Sequence, residues 1–176
     1  MKPRTLVAID PGAKHNGVVL LQCPEPDAAC ERNPVRILLA ETMTFDELIE
    51  YLRLWHKDTP CVYEWIACYG MPVGADVFET CYVCGRIDGQ LQRPGERILR
   101  RTIKLALCAS ATASDANVRQ SLIDRFEPSG GGRVPQIGIK SKPGPLHRVK
   151  KHAWSALAVG VAYLQLRSEV ATNAVS

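Results

Sequence analysis

Short apolar runs rich in β-branched residues dominate the first part of this chain. Two of them, residues 6–9 and 17–21, are separated by a Pro-Gly pair that is typical of a turn. Two further runs follow at residues 35–40 and 61–66. Runs of this length and composition predict β-strands, and the first two are expected to pair as a hairpin.

Apolar residues, most of them at helical spacing, predict four helices. The first begins after Thr44, because the sequence Thr-Phe-Asp-Glu matches a capping box, and it ends before Pro60. The others are expected at residues 77–91, 114–126 and 152–166. The last of these is apolar on nearly every side, so it is expected to be buried.

Two segments complete the predicted order. Residues 98–109 are interpreted as an extended, strongly basic segment, and residues 129–147, rich in glycine and proline, as a flexible basic loop. Strands and helices in this order predict an α/β fold in which a mixed sheet is flanked by helices. A chain of 176 residues fits one domain, here residues 1–176 with a C-terminal tail at about 168–176.

A single carboxylate lies in each of two predicted strands. Asp10 ends the first strand, and Glu64 lies within the fourth. An ionised carboxylate on a covered strand is costly unless a cation or several hydrogen-bond donors hold it. Asp10 therefore has two interpretations. It is either a catalytic residue, or a residue that hydrogen-bonds the turn behind it or pairs with Lys14.

The formal net charge of +4 conceals a strong asymmetry. Residues 1–85 carry 7 Lys and Arg against 12 Asp and Glu, whereas residues 86–176 carry 15 against 6. A basic half beside an acidic half is typical of a protein that holds a polyanion near a cluster of carboxylates. Basic faces also occur on proteins that bind no polyanion, so charge alone does not decide the function.

The cysteines and the length of the apolar runs indicate where in the cell the protein is expected. The seven cysteines are odd in number, and Cys61, Cys68, Cys81 and Cys108 lie among apolar residues, which favours reduced, buried thiols. One CxxC pair, with no second pair or His pair at zinc spacing, does not favour a structural zinc. No apolar run is long enough to span a membrane and no signal peptide is recognisable, so a cytoplasmic location is expected.

Three segments together resemble the RuvC-type Holliday junction resolvases, a group of ribonuclease H-like nucleases. "AIDPGAKHNGVV" is similar to their first-strand motif, "VYEWIACYGMPVGADVFETCYVCGR" to the second motif, and "HAWSALAVGVAYL" to the closing helix. "YGMPVG", "VFET", "SDANVRQSLIDRF" and "KPGPL" are similar to bacteriophage-encoded members. The resemblance covers residues 4–166 and implies a ribonuclease H-like α/β fold, with a mixed five-stranded sheet flanked by helices.

This resemblance implies phosphodiester hydrolysis supported by two Mg²⁺ or Mn²⁺ ions. Asp10, Glu64 and His152 correspond to metal ligands. The closing helix of the family carries acidic residues one turn apart, where this chain has His152 and Ser155. Asp115 is a candidate for the missing charge, although its place at a helix start also suits an N-cap. The predicted catalytic set is therefore Asp10, Glu64, Asp115, His152 and Ser155.

Branched DNA, in particular a four-way junction, is the partner that the resemblance implies. The residues expected to contact DNA are Tyr69, Arg97, Arg100, Arg101, Lys104, Arg148, Lys150 and Lys151. The two-fold symmetry of a junction favours a homodimer, with residues 77–91 as the candidate dimer helix. Two alternatives stay open: a junction-binding protein with weak or lost catalysis, because serine is a poor substitute for a carboxylate, and a nuclease of the same fold that acts on RNA.

Overall fold

The computed structural model of the protein describes residues 5–23, 35–67, 70 and 72–173, with side chains described to residue 170. Its strands are β1 (Thr5–Asp10), β2 (Asn16–Gln22), β3 (Arg36–Met43), β4 (Cys61–Trp65), β5 (Glu96–Leu99), β6 (Gly138–Ile139) and β7 (Lys142–Pro143). Its helices are α1 (Phe45–Tyr51), α2 (Ala75–Asp88), α3 (Arg100–Cys108), α4 (Asp115–Asp124) and α5 (Ala153–Asn173). A π-helical turn, Leu52–His56, follows α1 directly.

Five strands form one mixed sheet in the order β3-β2-β1-β4-β5. The hairpin β1–β2 and the next strand β3 pair antiparallel, whereas β4 pairs parallel with β1, and β5 pairs parallel with β4. The central strand β1 thus has one antiparallel and one parallel neighbour. The predicted fold class, a mixed five-stranded sheet flanked by helices, is confirmed.

Strand β1 explains how the sheet is covered on both sides. Leu6 and Ala8 point into a core shared with α3, α4 and α5, while Val7 and Ile9 point into a second core shared with α1 and α2. All four side chains are buried. A strand covered on both faces is apolar at every position, which accounts for the uninterrupted run before Asp10.

Two glycines allow α5 to approach the hairpin closely. A Cβ on Gly17 of β2 would clash with the backbone carbonyl oxygen of His152. A Cβ on Gly160 of α5 would lie 2.5 Å from Cδ1 of Leu21 and 2.9 Å from Cβ of Ala8. These missing side chains set the depth at which the buried helix lies on β1 and β2.

The predicted capping box is present. The Thr44 side chain accepts a hydrogen bond from the backbone N–H of Glu47, and the Glu47 carboxylate accepts one from the backbone N–H of Thr44 at 2.8 Å. The burial of the cysteines agrees only in part with the prediction. Cys61 is buried, but Cys81 is exposed, Cys108 is only partly buried, and Cys68 lies outside the described residues. Among the helices that the structure describes, none has the length and apolarity needed to cross a membrane.

The prediction of an extended segment at residues 98–109 is correct only for residues 98 and 99. Strand β5 ends at Leu99 and helix α3 begins at once with Arg100. Ile103 and Leu107, four residues apart, are the buried positions of this helix. The helix is only nine residues long, and three of its first five residues, Arg100, Arg101 and Lys104, are basic, so few apolar positions reveal its helical period in the sequence.

The segment predicted as a loop at residues 129–147 contains a two-stranded ribbon, β6–β7. Its turns pack backbone against backbone at three glycines: a Cβ on Gly130 would lie 2.6 Å from Cα of Gly138, and a Cβ on Gly138 would clash with the backbone nitrogen of Gly144. The backbone N–H of Leu146, which is buried, donates to the carbonyl of Gln136 at 2.8 Å. The ribbon is therefore tied to the main core at its base.

The close packing of α5 against β1 and β2 predicts opposite effects for two glycine substitutions in helices. Gly85→Ala in α2 meets nothing within 4 Å, so it should raise the free energy of unfolding by up to about 1 kcal/mol, the helix propensity difference. The free energy of unfolding of Gly160→Ala should be about 1–3 kcal/mol lower than that of Gly85→Ala, because the added methyl overpacks the core. Urea denaturation of both variants measures the difference. Equal stability would mean that α5 has room at Gly160.

Candidate functional site

Asp10 lies at the carboxyl end of β1, in the centre of the sheet. Its mostly buried carboxylate hydrogen-bonds the side chain of Ser155 in the first turn of α5. His152 immediately precedes α5, and its Nδ1 lies 3.9 Å from Oδ2 of Asp10. The structure thus brings together three of the five residues predicted to be catalytic.

The turn after β1 is held by another residue. Asn16 is fully buried; its Oδ1 accepts the backbone N–H of Gly12 at 3.2 Å, and its Nδ2 donates to the carbonyl of Met43 at 3.4 Å. Asn16 therefore performs the turn-stabilising role that was one interpretation of Asp10. The same turn carries His15, whose ring centroid lies 6.0 Å from that of His152. Only the depth of α5 brings the two rings together, so no local sequence pattern predicts that His15 lies near the site.

Glu64 reaches the same edge of the sheet from the neighbouring strand. Because β4 runs parallel to β1 and Tyr63 is paired with Ile9, Glu64 follows at the level of Asp10. Its side chain is mostly buried. The prediction that both carboxylates lie on adjacent central strands is confirmed as a placement, and their catalytic role stays a prediction.

Arg100 contacts two of the predicted site carboxylates. Its Nη1 lies 3.3 Å from Oε2 of Glu64, and its Nη2 lies 2.5 Å from Oδ1 of Asp115. Asp115 is not the N-cap of α4, because the Ser114 side chain takes that role by accepting the N–H of Asn117. Asp115 instead extends from the first turn of α4, largely exposed, towards Arg100.

Burial dominates the electrostatics of the two strand carboxylates. It raises the pKa of Asp10 to about 6, although the Arg100 charge and the Ser155 hydrogen bond both oppose the increase. It raises the pKa of Glu64 to about 7, where the Arg100 charge opposes the increase and the Asp10 charge adds to it. The hydrogen bond from Arg100 holds the pKa of Asp115 below its ordinary value. Further positive charge at this site would stabilise the ionised forms of Asp10 and Glu64.

The donor atoms fit Mg²⁺ or Mn²⁺ in kind. Asp10 and Glu64 offer hard carboxylate oxygens, and the imidazole of His152 faces Asp10. Within residues 5–23, 35–67, 70 and 72–173, however, no three His, Cys, Asp or Glu side chains converge closely enough to hold a metal ion as they stand. The cation that the structure places against Glu64 is Arg100.

The residues expected to contact DNA differ in their surroundings. Arg97 is held by its neighbours: its Nη2 lies 3.2 Å from Oδ2 of Asp88, and its guanidinium lies 4.2 Å from the centroid of the Trp65 ring. Several other predicted cations are exposed and have no ion pair within the described ranges, namely Arg101, Arg148, Lys150 and Lys151. Lys104 is half-buried on α3, and Tyr69 lies outside the described residues.

Comparison with known proteins supports the fold. No protein-family model matches the chain, and no curated protein matches its sequence. The structure of RuvC from Thermus thermophilus matches with a TM-score of 0.61 at 16% identity, over 92% of this chain and 93% of that chain. RuvC from the same organism in complex with Holliday junction substrate matches with a TM-score of 0.57 at 14% identity, over 94% and 97%. At these identities the likeness establishes the fold alone.

The raised carboxylate pKa values predict a pH dependence of stability in metal-free protein. The folded protein keeps Asp10 and Glu64 protonated to a higher pH than the unfolded chain does. Their contribution to the free energy of unfolding is therefore complete below about pH 4 and is lost as pH rises through about 6 to 7. Between pH 5 and pH 8, the free energy of unfolding of Glu64→Gln should therefore fall less than that of wild type, by on the order of 1 kcal/mol.

Urea denaturation in the presence of a chelator measures this difference. Glu79→Gln, which removes an exposed carboxylate from α2, is the control and should behave as wild type. If all three proteins lose the same stability between the two pH values, Glu64 titrates as an ordinary surface carboxylate.

Proposed function

We propose that this protein is a metal-dependent, structure-selective endonuclease that cleaves four-way junctions and other branched DNA. The observation that carries the proposal is the pair of mostly buried carboxylates, Asp10 and Glu64, on adjacent parallel strands beside the start of α5. The fold that surrounds this pair is shared with a RuvC whose structure was solved with Holliday junction substrate. Fold likeness raises the expectation, but the chemistry rests on the residues of this site.

Asp10, Glu64 and His152 would hold the metal ions, Mg²⁺ or Mn²⁺. When bound, such ions activate a water molecule and stabilise the leaving oxygen of the phosphodiester. Ser155 acts on Asp10, since its hydrogen bond lowers the pKa of that carboxyl and so favours the ionised form. His152, whose Nδ1 faces the Asp10 carboxylate, would bind a metal ion or position a water molecule next to it.

DNA is the partner that the charge distribution supports. Residues 128–166 contain six Lys and Arg and no Asp or Glu. This stretch includes the β6–β7 ribbon and leads directly into His152, so its cations lie on the chain segment that enters the site. Cations without acidic neighbours attract phosphate and position a nucleic acid without reading its sequence.

A second copy of the chain is the proposed partner of α2. Val83, Cys84 and Ile87 of this helix are buried in the core, whereas Phe78 and Tyr82, one turn apart, are 65% and 55% exposed. Large aromatic side chains on an outer helix face are typical of an interface. A two-fold dimer would present two sites to the two strands that a junction resolvase nicks.

A junction-binding protein with weak or lost catalysis is the second candidate. Ser155 stands where an acidic ligand is expected, and Arg100 contacts Glu64 directly. Both features lower the negative charge available to a metal ion. Junction affinity without metal-dependent cleavage would favour this candidate, and cleavage of structured RNA in place of junctions would favour an RNA nuclease.

Removal of either strand carboxylate should abolish cleavage and preserve binding. Asp10→Asn and Glu64→Gln each remove one oxygen ligand, and each also removes repulsion of phosphate, so junction affinity should stay equal or rise. Cleavage of a labelled synthetic four-way junction with Mn²⁺, and gel-shift titration without metal, measure the two effects. Asp58→Asn, at an exposed turn, is the control. Cleavage at wild-type rate in either site variant contradicts the assignment.

The cations of residues 128–166 should determine the salt dependence of junction binding. Replacing Arg148, Lys150 and Lys151 with alanine should reduce the slope of log affinity against log salt by about 1 to 3, as expected for up to three lost phosphate contacts. Alanine substitution of three exposed cations from the acidic half, Arg36, Arg53 and Lys57, is the matched control. If both triple variants change the slope equally, the junction does not bind at this segment.

A further inference from the structure

Arg100 has a position that its place in the sequence does not favour. It is the first residue of α3, and Arg101 follows, so two cations stand at the helix end where the backbone dipole is positive. No acidic residue lies in that first turn to compensate them. Arg100 is only 27% exposed, whereas Arg101 is exposed. An interaction outside α3 must therefore hold the Arg100 guanidinium in place.

The two carboxylates that hold it come from different parts of the fold. Glu64 extends from β4 and Asp115 from α4, and each accepts from a different terminal nitrogen of Arg100. The guanidinium thus bridges the sheet edge and α4. The charge of Arg100 also acts on Asp10, since it lowers the pKa of that carboxyl against the larger effect of burial.

We infer that Arg100 is a resident counter-cation of the carboxylate site, and that its guanidinium competes with metal ions for Glu64. The inference rests on the proposed function, because that function requires a metal ion at Glu64. The contact supports it: Nη1 of Arg100 donates to Oε2 of Glu64, one of the two oxygens through which that carboxylate would bind a metal ion. A metal ion bound to either oxygen of Glu64 would lie close to the guanidinium, and the two positive charges repel each other.

This arrangement has a cost and a benefit. In the metal-free protein Arg100 offsets the repulsion between carboxylates that burial makes severe, so it stabilises the fold. The same contacts compete with metal binding, so they lower the affinity for the ion. A residue that served only to stabilise the structure would have the first effect without the second.

Substitution of Arg100 should therefore move stability and metal affinity in opposite directions. Arg100→Gln should lower the melting temperature of the metal-free protein and raise the affinity for Mn²⁺ by on the order of tenfold or more, the effect expected of one directly contacting charge. Isothermal titration calorimetry with Mn²⁺ alone, on the full chain without DNA, measures the affinity. Arg101→Gln removes the same charge from the next, exposed position and should change the affinity much less.

Arg100→Lys covers the case in which Arg100→Gln does not fold. A single ammonium group keeps the charge but cannot bridge Glu64 and Asp115 as the guanidinium does, so its Mn²⁺ affinity should exceed that of wild type. Mn²⁺ affinity equal to or below wild type in the folded variants overturns the inference and leaves the proposed function intact. Absence of Mn²⁺ binding in wild type and variants alike overturns both.

Discussion

The close contact between α5 and the β1–β2 hairpin is the constraint on which the rest of the structure depends. Gly17 and Gly160 leave no side chain between the helix and the strands, and Ala8 supplies only a methyl group. Because the helix lies this deep, the segment that enters it passes directly over the strand end that carries Asp10. Close packing of the interior and placement of His152 and Ser155 at the site are therefore consequences of the same contact.

Parallel pairing concentrates charge at one edge of the sheet. Strands β1, β4 and β5 run in the same direction, and their carboxyl ends carry Asp10, Glu64 and, directly after Leu99, Arg100. Three charged side chains thus meet where three parallel strands end. Since the carboxylates lose hydration there, their ionised forms require a nearby cation, and the chain itself supplies one.

Much of the fold and part of the site could be predicted from the sequence. The hairpin, the capping box at Thr44 and the helix that follows Ser114 depend on local patterns, so they were predictable. The placement of Asp10 and Glu64 at one sheet edge followed from the family resemblance and from strand order. These features are encoded by neighbouring residues or by the order of elements.

The rest depends on contacts between distant parts of the chain. Arg100 pairs with Glu64 at a separation of 36 residues, and the two-residue strands of the ribbon have no periodicity that a sequence pattern could reveal. The sequence nevertheless contains a signal for the position of Arg100. A residue directly after a strand parallel to β4 must lie at the edge that carries Glu64. The histidine pair had no such signal, because its separation is set by the depth of α5.

The glycine contacts of the β6–β7 ribbon separate the residues that determine its shape from those that determine its charge. Its path is set by Gly130, Gly138 and Gly144, where backbones touch, while the side chains of Lys140 and Lys142 are exposed. Substitutions at the lysines leave the glycine contacts untouched, whereas any side chain at these glycines disturbs them. The ribbon should therefore keep its shape when its exposed lysines are substituted, but not when any one of these glycines is.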